Sequence, residues 1–264
     1  MSLFQCSFFS KTLCTMAKVM VSLPSPKSSE VLSMPLEQVH ERKEKKVLYL
    51  LHGMFEDETI WLRKSNVERY AQEENVALIM PFGENNYYTD MAHGLRYFTF
   101  LTEELPMFMA STFALKPTRE NTAIAGLSMG GYGACKAAFS RGDIYGAFAS
   151  LSGPLDTVQL ADLAEQAGMS YHVHNVFGQK KEIPNGNSDL FYLSRELLHT
   201  GNPLPRGYLA CGTEDENCYP MHIKMKQHLE ELGYPMTCKE SHGGHEWEFW
   251  DREIQSVLQW LNQE

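Results

Sequence analysis

Apolar residues along the chain fall into two kinds of run. Val47 to Leu51, Val76 to Met80, Thr122 to Ala125, Ala147 to Leu151 and Gly207 to Cys211 are short and nearly continuous in apolar character. That is the pattern of a strand covered on both faces by other elements. Between them, apolar residues recur at helical spacing in Ser65 to Glu74, Arg96 to Phe113, Gly131 to Phe139, Pro220 to Leu232 and Trp247 to Leu261. Pro106 has no N–H to donate and should kink or interrupt the second of these helices. Strands alternating with helices predict an α/β chain with a doubly wound, mostly parallel sheet flanked by helices.

Two stretches depart from the alternation. At the start, Leu3, Gln5 and Ser7 alternate with Phe4, Cys6 and Phe8, which predicts an edge strand, followed by a second strand at Ala17 to Leu23. Pro24 to Glu30, rich in Pro and Ser, should be a turn or loop. From 154 to 205 the chain carries Gly178, Pro184, Asn185, Gly186 and Asn187 between short helical patterns, and is expected to form a small cap insertion. The whole of 1–264 is expected to be one domain.

The strand at Thr122 to Ala125 runs into Gly126-Leu127-Ser128-Met129-Gly130-Gly131, which contains G-x-S-x-G. A serine on a sharp strand-to-helix turn is pushed out at the carboxyl edge of the sheet, and the turn has no room for side chains two residues to either side. Gly126 and Gly130 meet that need, while Gly131 lets the next helix start close to the strand. The motif alone arises by chance often enough to be weak. Its place between an apolar strand and a helix of small residues makes Ser128 the candidate nucleophile for an acyl carbonyl on an α/β-hydrolase fold.

A nucleophilic serine needs an imidazole to take its proton and a carboxylate to orient that imidazole. On this fold they follow in the order serine, acid, histidine. The segment Ser241-His242-Gly243-Gly244-His245 comes after a strand-like run near Met236 and Cys238 and before the last helix. His245 is the predicted base and His242 the alternative. Past the strand ending at Cys211, the turn Gly212-Thr213-Glu214-Asp215 offers Asp215 as the acid, with Glu214 second. The oxyanion needs backbone N–H donors, one from Met129 and one from the loop Leu51-His52-Gly53-Met54-Phe55, where Met54 is the first choice and Phe55 the alternative. His52 is expected to orient that loop through its ring. Phe55, Trp61, Tyr88 and Trp247 are the aromatic candidates for a substrate pocket, although aromatics on a terminal helix more commonly pack on the sheet.

Charge and cysteine usage narrow the partners. With 23 basic and 33 acidic residues the formal charge is −10, and no basic block occurs, which argues against nucleic acid and anionic membranes. The six cysteines show no C-x-x-C pair or repeated spacing, so a reduced, cytoplasmic setting is the simpler expectation. The opening residues lack the basic and apolar regions of a signal peptide. His222, His242 and His245 have no zinc-motif spacing, so neither metal nor cofactor is expected. The expected partner is a small-molecule ester, with a homo-oligomer left open.

These segments together resemble the esterase D and tributyrin esterase family, a branch of the α/β-hydrolases that includes enzymes acting on acetylated or feruloylated sugars. The resemblance lies in Tyr49-Leu50-Leu51-His52-Gly53-Met54, Trp61 with Asn66 to Tyr70, Tyr88-Thr89-Asp90-Met91, Glu104-Leu105-Pro106, Ala125 to Gly133, Cys211 to Asp215, and Gly244-His245-Glu246-Trp247 with Trp250. Carried over, the family's triad falls on Ser128, Asp215 and His245. The resemblance implies a serine carboxylesterase for short-chain acyl esters, with an S-formylglutathione hydrolase-like thioesterase as the alternative. Those thioesterases usually carry a cysteine shortly after the oxyanion glycine, where Phe55-Glu56-Asp57-Glu58 follows Met54 here. The acidic turn also disfavours acidic substrates if it lines the site.

Overall fold

Each of the five continuous apolar runs is a strand buried along nearly its whole length. In the computed structural model, which describes residues 1–39, 45–115 and 117–263, they are β3 (Lys46–Leu51), β4 (Val76–Pro81), β5 (Thr122–Leu127), β6 (Ala147–Leu151) and β7 (Arg206–Gly212), preceded by β1 (Ser2–Ser10) and β2 (Thr15–Leu23) and followed by β8 (Met236–Ser241). All eight form one sheet in the order β1-β2-β4-β3-β5-β6-β7-β8. The β1–β2 hairpin and the β2–β4 pair are antiparallel, and every other pairing is parallel. Alternate residues of β3 show why a continuous run is required: Val47, Tyr49 and Leu51 join the core on one face with Tyr132 and Phe148. Leu48 and Leu50 join the core on the other, with Trp61, Val67 and Trp250.

Several elements differ from the sequence expectation for identifiable reasons. The helix expected over Ser65 to Glu74 starts later, as Val67–Glu73, and a separate short helix, Ile60–Lys64, precedes it with Ser65 extended between the two. The loop expected over Pro24 to Glu30 gives way at Ser28 to a single helical turn, Ser28–Val31. The segment expected over Arg96 to Phe113 is helical from Tyr97 on, but Phe100–Glu104 is a π-helical turn that leads into Leu105–Phe113. Pro106 then stands at the start of an α-helical stretch, where its missing N–H costs nothing, so the wide turn takes the place of a kink. Glu104 within that turn accepts hydrogen bonds from Ser10 Oγ and the Lys11 and Thr12 N–H groups, and Phe8 stacks on Phe108 with ring centroids 3.8 Å apart. These contacts anchor the β1–β2 hairpin, whose outer residues Leu3, Phe4 and Phe9 remain exposed.

The chain between β6 and β7 holds three α-helices, Thr157–Gln166, Ser170–Phe177 and Leu190–His199. Asp156 and Asp189 start the first and third by accepting two backbone N–H bonds each. The third helix packs on Met129–Ser140 and so belongs to the layer covering the sheet. The first two border the carboxyl end of β5. All six cysteines are free thiols, and among the described residues no helix is long and apolar enough to cross a membrane.

Candidate active site

The carboxyl ends of β3, β5, β6, β7 and β8 converge, and the loops that follow them carry the candidate residues. Ser128 joins β5 to the Met129–Ser140 helix with φ 50° and ψ −120°, a conformation that only a tightly held turn imposes on a residue with a side chain. Its N–H donates to Leu151 O at 2.8 Å, and its carbonyl accepts from the Gly131 and Tyr132 N–H groups. The glycines are required by contact. A Cβ on Gly126 would lie 2.4 Å from the Gly130 carbonyl carbon, and one on Gly130 would lie 2.6 Å from Leu51 O.

The structure brings Ser128, His245 and Asp215 together. His245 Nε2 is 2.9 Å from Ser128 Oγ, and His245 Nδ1 is 2.6 Å from Asp215 Oδ2. Burial alone would raise the Asp215 carboxyl, but the hydrogen bonds from His245 and from the Cys218 N–H (3.0 Å) outweigh it and hold the group below the ordinary carboxylate range. An ionised Asp215 fixes the tautomer with the proton on Nδ1, which leaves Nε2 as an acceptor facing the hydroxyl. Trp250 packs edge-on against the imidazole, 4.9 Å between ring centres. The two alternatives lie elsewhere: His242 is exposed and sits 3.3 Å from Glu214, so they meet each other at the surface rather than Ser128.

The oxyanion alternatives are separated by a residue that sequence reading passed over. Asn85 Oδ1 accepts the Phe55 N–H at 2.7 Å, and Glu56 Oε2 accepts the Gly53 N–H at 2.9 Å. The Met54 N–H between them has no acceptor among the described residues, and Met129 is the first residue of its helix, where the N–H has no intrahelical partner. A Cβ on Gly53 would lie 3.5 Å from Ser128 Cβ, which measures how closely this loop approaches the serine. His52 braces the loop from below: its Nε2 accepts the Gly83 N–H at 2.9 Å and its Nδ1 donates to Gly53 O at 2.7 Å. Burial pushes its pKa down to about 4, in keeping with a neutral ring.

Ser128 opens into a cavity of about 550 Å³ whose apolar wall includes Met54, Tyr87, Leu160, Leu163, Val173 and Met221. The four aromatic candidates are not in that wall. Phe55 is 77% exposed beside it. Trp61 is buried beneath the loop, donating to Leu51 O, and Tyr88 is buried against His52. Trp247 packs between Trp61 and Trp250 and donates to Glu56. The side chains of Trp61, Tyr88 and Trp247 turn inwards to pack under the loops, whereas that of Phe55 faces solvent. The residues that do line the cavity come mainly from the stretch between β6 and β7, whose short helical patterns do not tell a cavity-facing side from a core-facing one. Asp215, Cys218 and His245 place potential ligand atoms within 4.8 Å of one another. Both His245 nitrogens are already engaged, and burial, with the Asp215 charge second, pushes the Cys218 thiol well above its ordinary range. The trio is suited to moving a proton rather than holding a cation.

Comparison with known proteins finds relatives over the whole chain. The Esterase family model matches residues 10–261. The acetyl esterase of Caldicellulosiruptor saccharolyticus is 28% identical, over 99% of this chain and 98% of its own. Among solved structures, the fluorophosphonate-binding serine hydrolase FphF of Staphylococcus aureus superposes with a TM-score of 0.88 at 27% identity, covering 100% of this chain and 99% of that one. The S-formylglutathione hydrolase FrmB of the same organism gives 0.83 at 27% identity, with 98% of each chain covered.

Proposed function

Because the chain belongs to the Esterase family, and is a carboxylic ester hydrolase of the α/β-hydrolase fold, we propose that Ser128, His245 and Asp215 are its catalytic triad and that it hydrolyses short-chain acyl esters, acetyl or feruloyl groups on sugars among them. His245 takes the proton of Ser128 Oγ through Nε2 while Asp215 holds Nδ1. Oγ attacks the ester carbonyl, and the Met54 and Met129 N–H groups receive the developing oxyanion. His245 then protonates the departing alcohol, and water repeats the sequence on the acyl-enzyme. No cofactor takes part in these steps. The observation that carries the reading is the continuous hydrogen-bonded path from Asp215 through His245 to Ser128, at the mouth of an apolar cavity.

The apolar wall from Leu160 to Val173 is suited to the acyl group. A thioesterase of the formylglutathione type is the second reading, favoured by the likeness to the staphylococcal enzyme of that name. Against it, Glu56 and Glu84 stand beside the oxyanion loop, where they would repel the carboxylates of a glutathione moiety. Hydrolysis of p-nitrophenyl esters from acetyl to decanoyl, run beside S-formylglutathione, separates the two. The expected result is highest kcat/KM on the shorter oxygen esters. Higher kcat/KM on S-formylglutathione would overturn it.

A further inference from the structure

A second depression, of about 450 Å³, lies beside the oxyanion loop and is lined in part by Phe55, Glu56, Glu84, Asn85, Asn86 and His172. His172 also lines the Ser128 cavity, so the two spaces adjoin. Three features of the depression have no part in the proton path. Asn86 is 1% exposed, and its Oδ1 accepts the Tyr88 N–H at 2.7 Å, which fixes the orientation of the amide and leaves Nδ2 as the free end. That Nδ2 has no partner among the described residues, and neither has the buried Nε2 of His172. Burying such a group unpaired is costly, so Asn86 Nδ2 points to an acceptor that arrives with a ligand, and His172 Nε2 meets the same acceptor in the tautomer that carries its proton there. Phe55, at a left-handed φ of 66°, is held there by Asn85 and shows its ring to solvent.

We propose that this depression receives the alcohol part of the ester, and that the alcohol is uncharged, with an oxygen acceptor placed to meet Asn86 Nδ2 and His172 Nε2 and an apolar face set against Phe55. This rests on the reading of Ser128 given above, with the acyl group in the apolar cavity and the carbonyl at Met54 and Met129. The chemistry of the rim sets the class. Glu56 and Glu84 repel an anion, while an ammonium has no lone pair for the Asn86 donor. A wholly apolar alcohol would leave that donor unpaired.

The test compares two acetates that differ by a single ring oxygen, tetrahydropyran-4-yl acetate and cyclohexyl acetate, with kcat/KM normalised to alkaline hydrolysis. The expected preference for the oxygen-bearing ester is about tenfold, the worth of one hydrogen bond to an otherwise unpaired buried donor. In Asn86→Asp, which keeps the acceptor for Tyr88 but removes the donor, the ratio falls to about one. His172→Phe, which breaks no side-chain hydrogen bond among the described residues, lowers the same ratio and covers the case in which Asn86→Asp fails to fold. A ratio of one in the unsubstituted enzyme, or a preference that survives in both variants, overturns the proposal. Hydrolysis of neither acetate, together with no fluorophosphonate labelling of Ser128, overturns the underlying reading of the serine instead.

Discussion

Trp247 donates its indole N–H to Glu56 Oε1 at 3.1 Å, while the other oxygen of that carboxylate accepts the Gly53 N–H. One side chain thus joins the loop that carries Met54 to the segment that carries His245. Glu56→Ala should lower kcat/KM for p-nitrophenyl acetate by more than about tenfold, since two hydrogen bonds of about 1 kcal/mol each are lost. Glu56→Gln keeps one acceptor and should recover part of the loss, mostly in kcat. Steady-state kinetics of both variants check this, and wild-type rates in Glu56→Ala would show that the link has no bearing on the chemistry.

The elbow at Ser128 has no space for a methyl group. Gly126→Ala would drive its Cβ against the backbone of Gly130, which cannot swing aside as a flexible side chain could. The expected outcome is a destabilisation of about 2 kcal/mol or more, with displacement of Ser128 from His245. Thermal unfolding and esterase assays on the soluble fraction read both effects. An alanine variant with unchanged melting temperature would contradict the geometry.

Acid should weaken the fold before it protonates most carboxylates. Burial pushes both His52 and His222 down to about 4, whereas a histidine in the unfolded chain titrates near ~6.5. As pH falls below that value the unfolded chain takes up protons that the folded state refuses, so stability is fully present above about pH 6.5 and is lost progressively towards pH 4. The melting temperature should drop by more than about 5 °C between pH 7 and 4.5. His222→Gln should flatten that slope, and a melting temperature constant over the range would contradict the burial of two neutral rings.

Leu163 and Ala164 face the cavity from the Thr157–Gln166 helix. Leu163→Trp should fill part of its 550 Å³ and shorten the acyl chain accepted. Butyryl and hexanoyl esters should lose activity while acetyl esters keep most of theirs. An acyl profile identical to that of the unsubstituted enzyme would place the acyl group elsewhere.

What was legible in the sequence follows from what is local. Parallel strands buried on both faces announce themselves as apolar runs, and Gly126 answers to a contact with Gly130 inside the elbow itself. The order serine, acid, histidine then placed Asp215 and His245 at the ends of β7 and β8, where the structure brings them to Ser128. The choice between Met54 and Phe55 was not local, because the acceptor that occupies the Phe55 N–H is Asn85, thirty residues along the chain. The pocket was hidden for a different reason. Leu160, Leu163 and Val173 lie on short amphipathic helices, and a helical pattern does not say whether its apolar face meets a sheet or an open cavity. Trp61 and Tyr88 were misplaced for the converse reason, since their indole N–H and phenol serve the backbone of Leu51 and His52 under the loop.

The account stands on Ser128 as the nucleophile, and covalent labelling measures that most directly. A fluorophosphonate probe should modify one tryptic peptide, the one containing Ser128, with loss of p-nitrophenyl acetate turnover in step with labelling. Ser128→Ala should abolish both. Labelling of another residue, or turnover that persists in Ser128→Ala, would contradict the assignment.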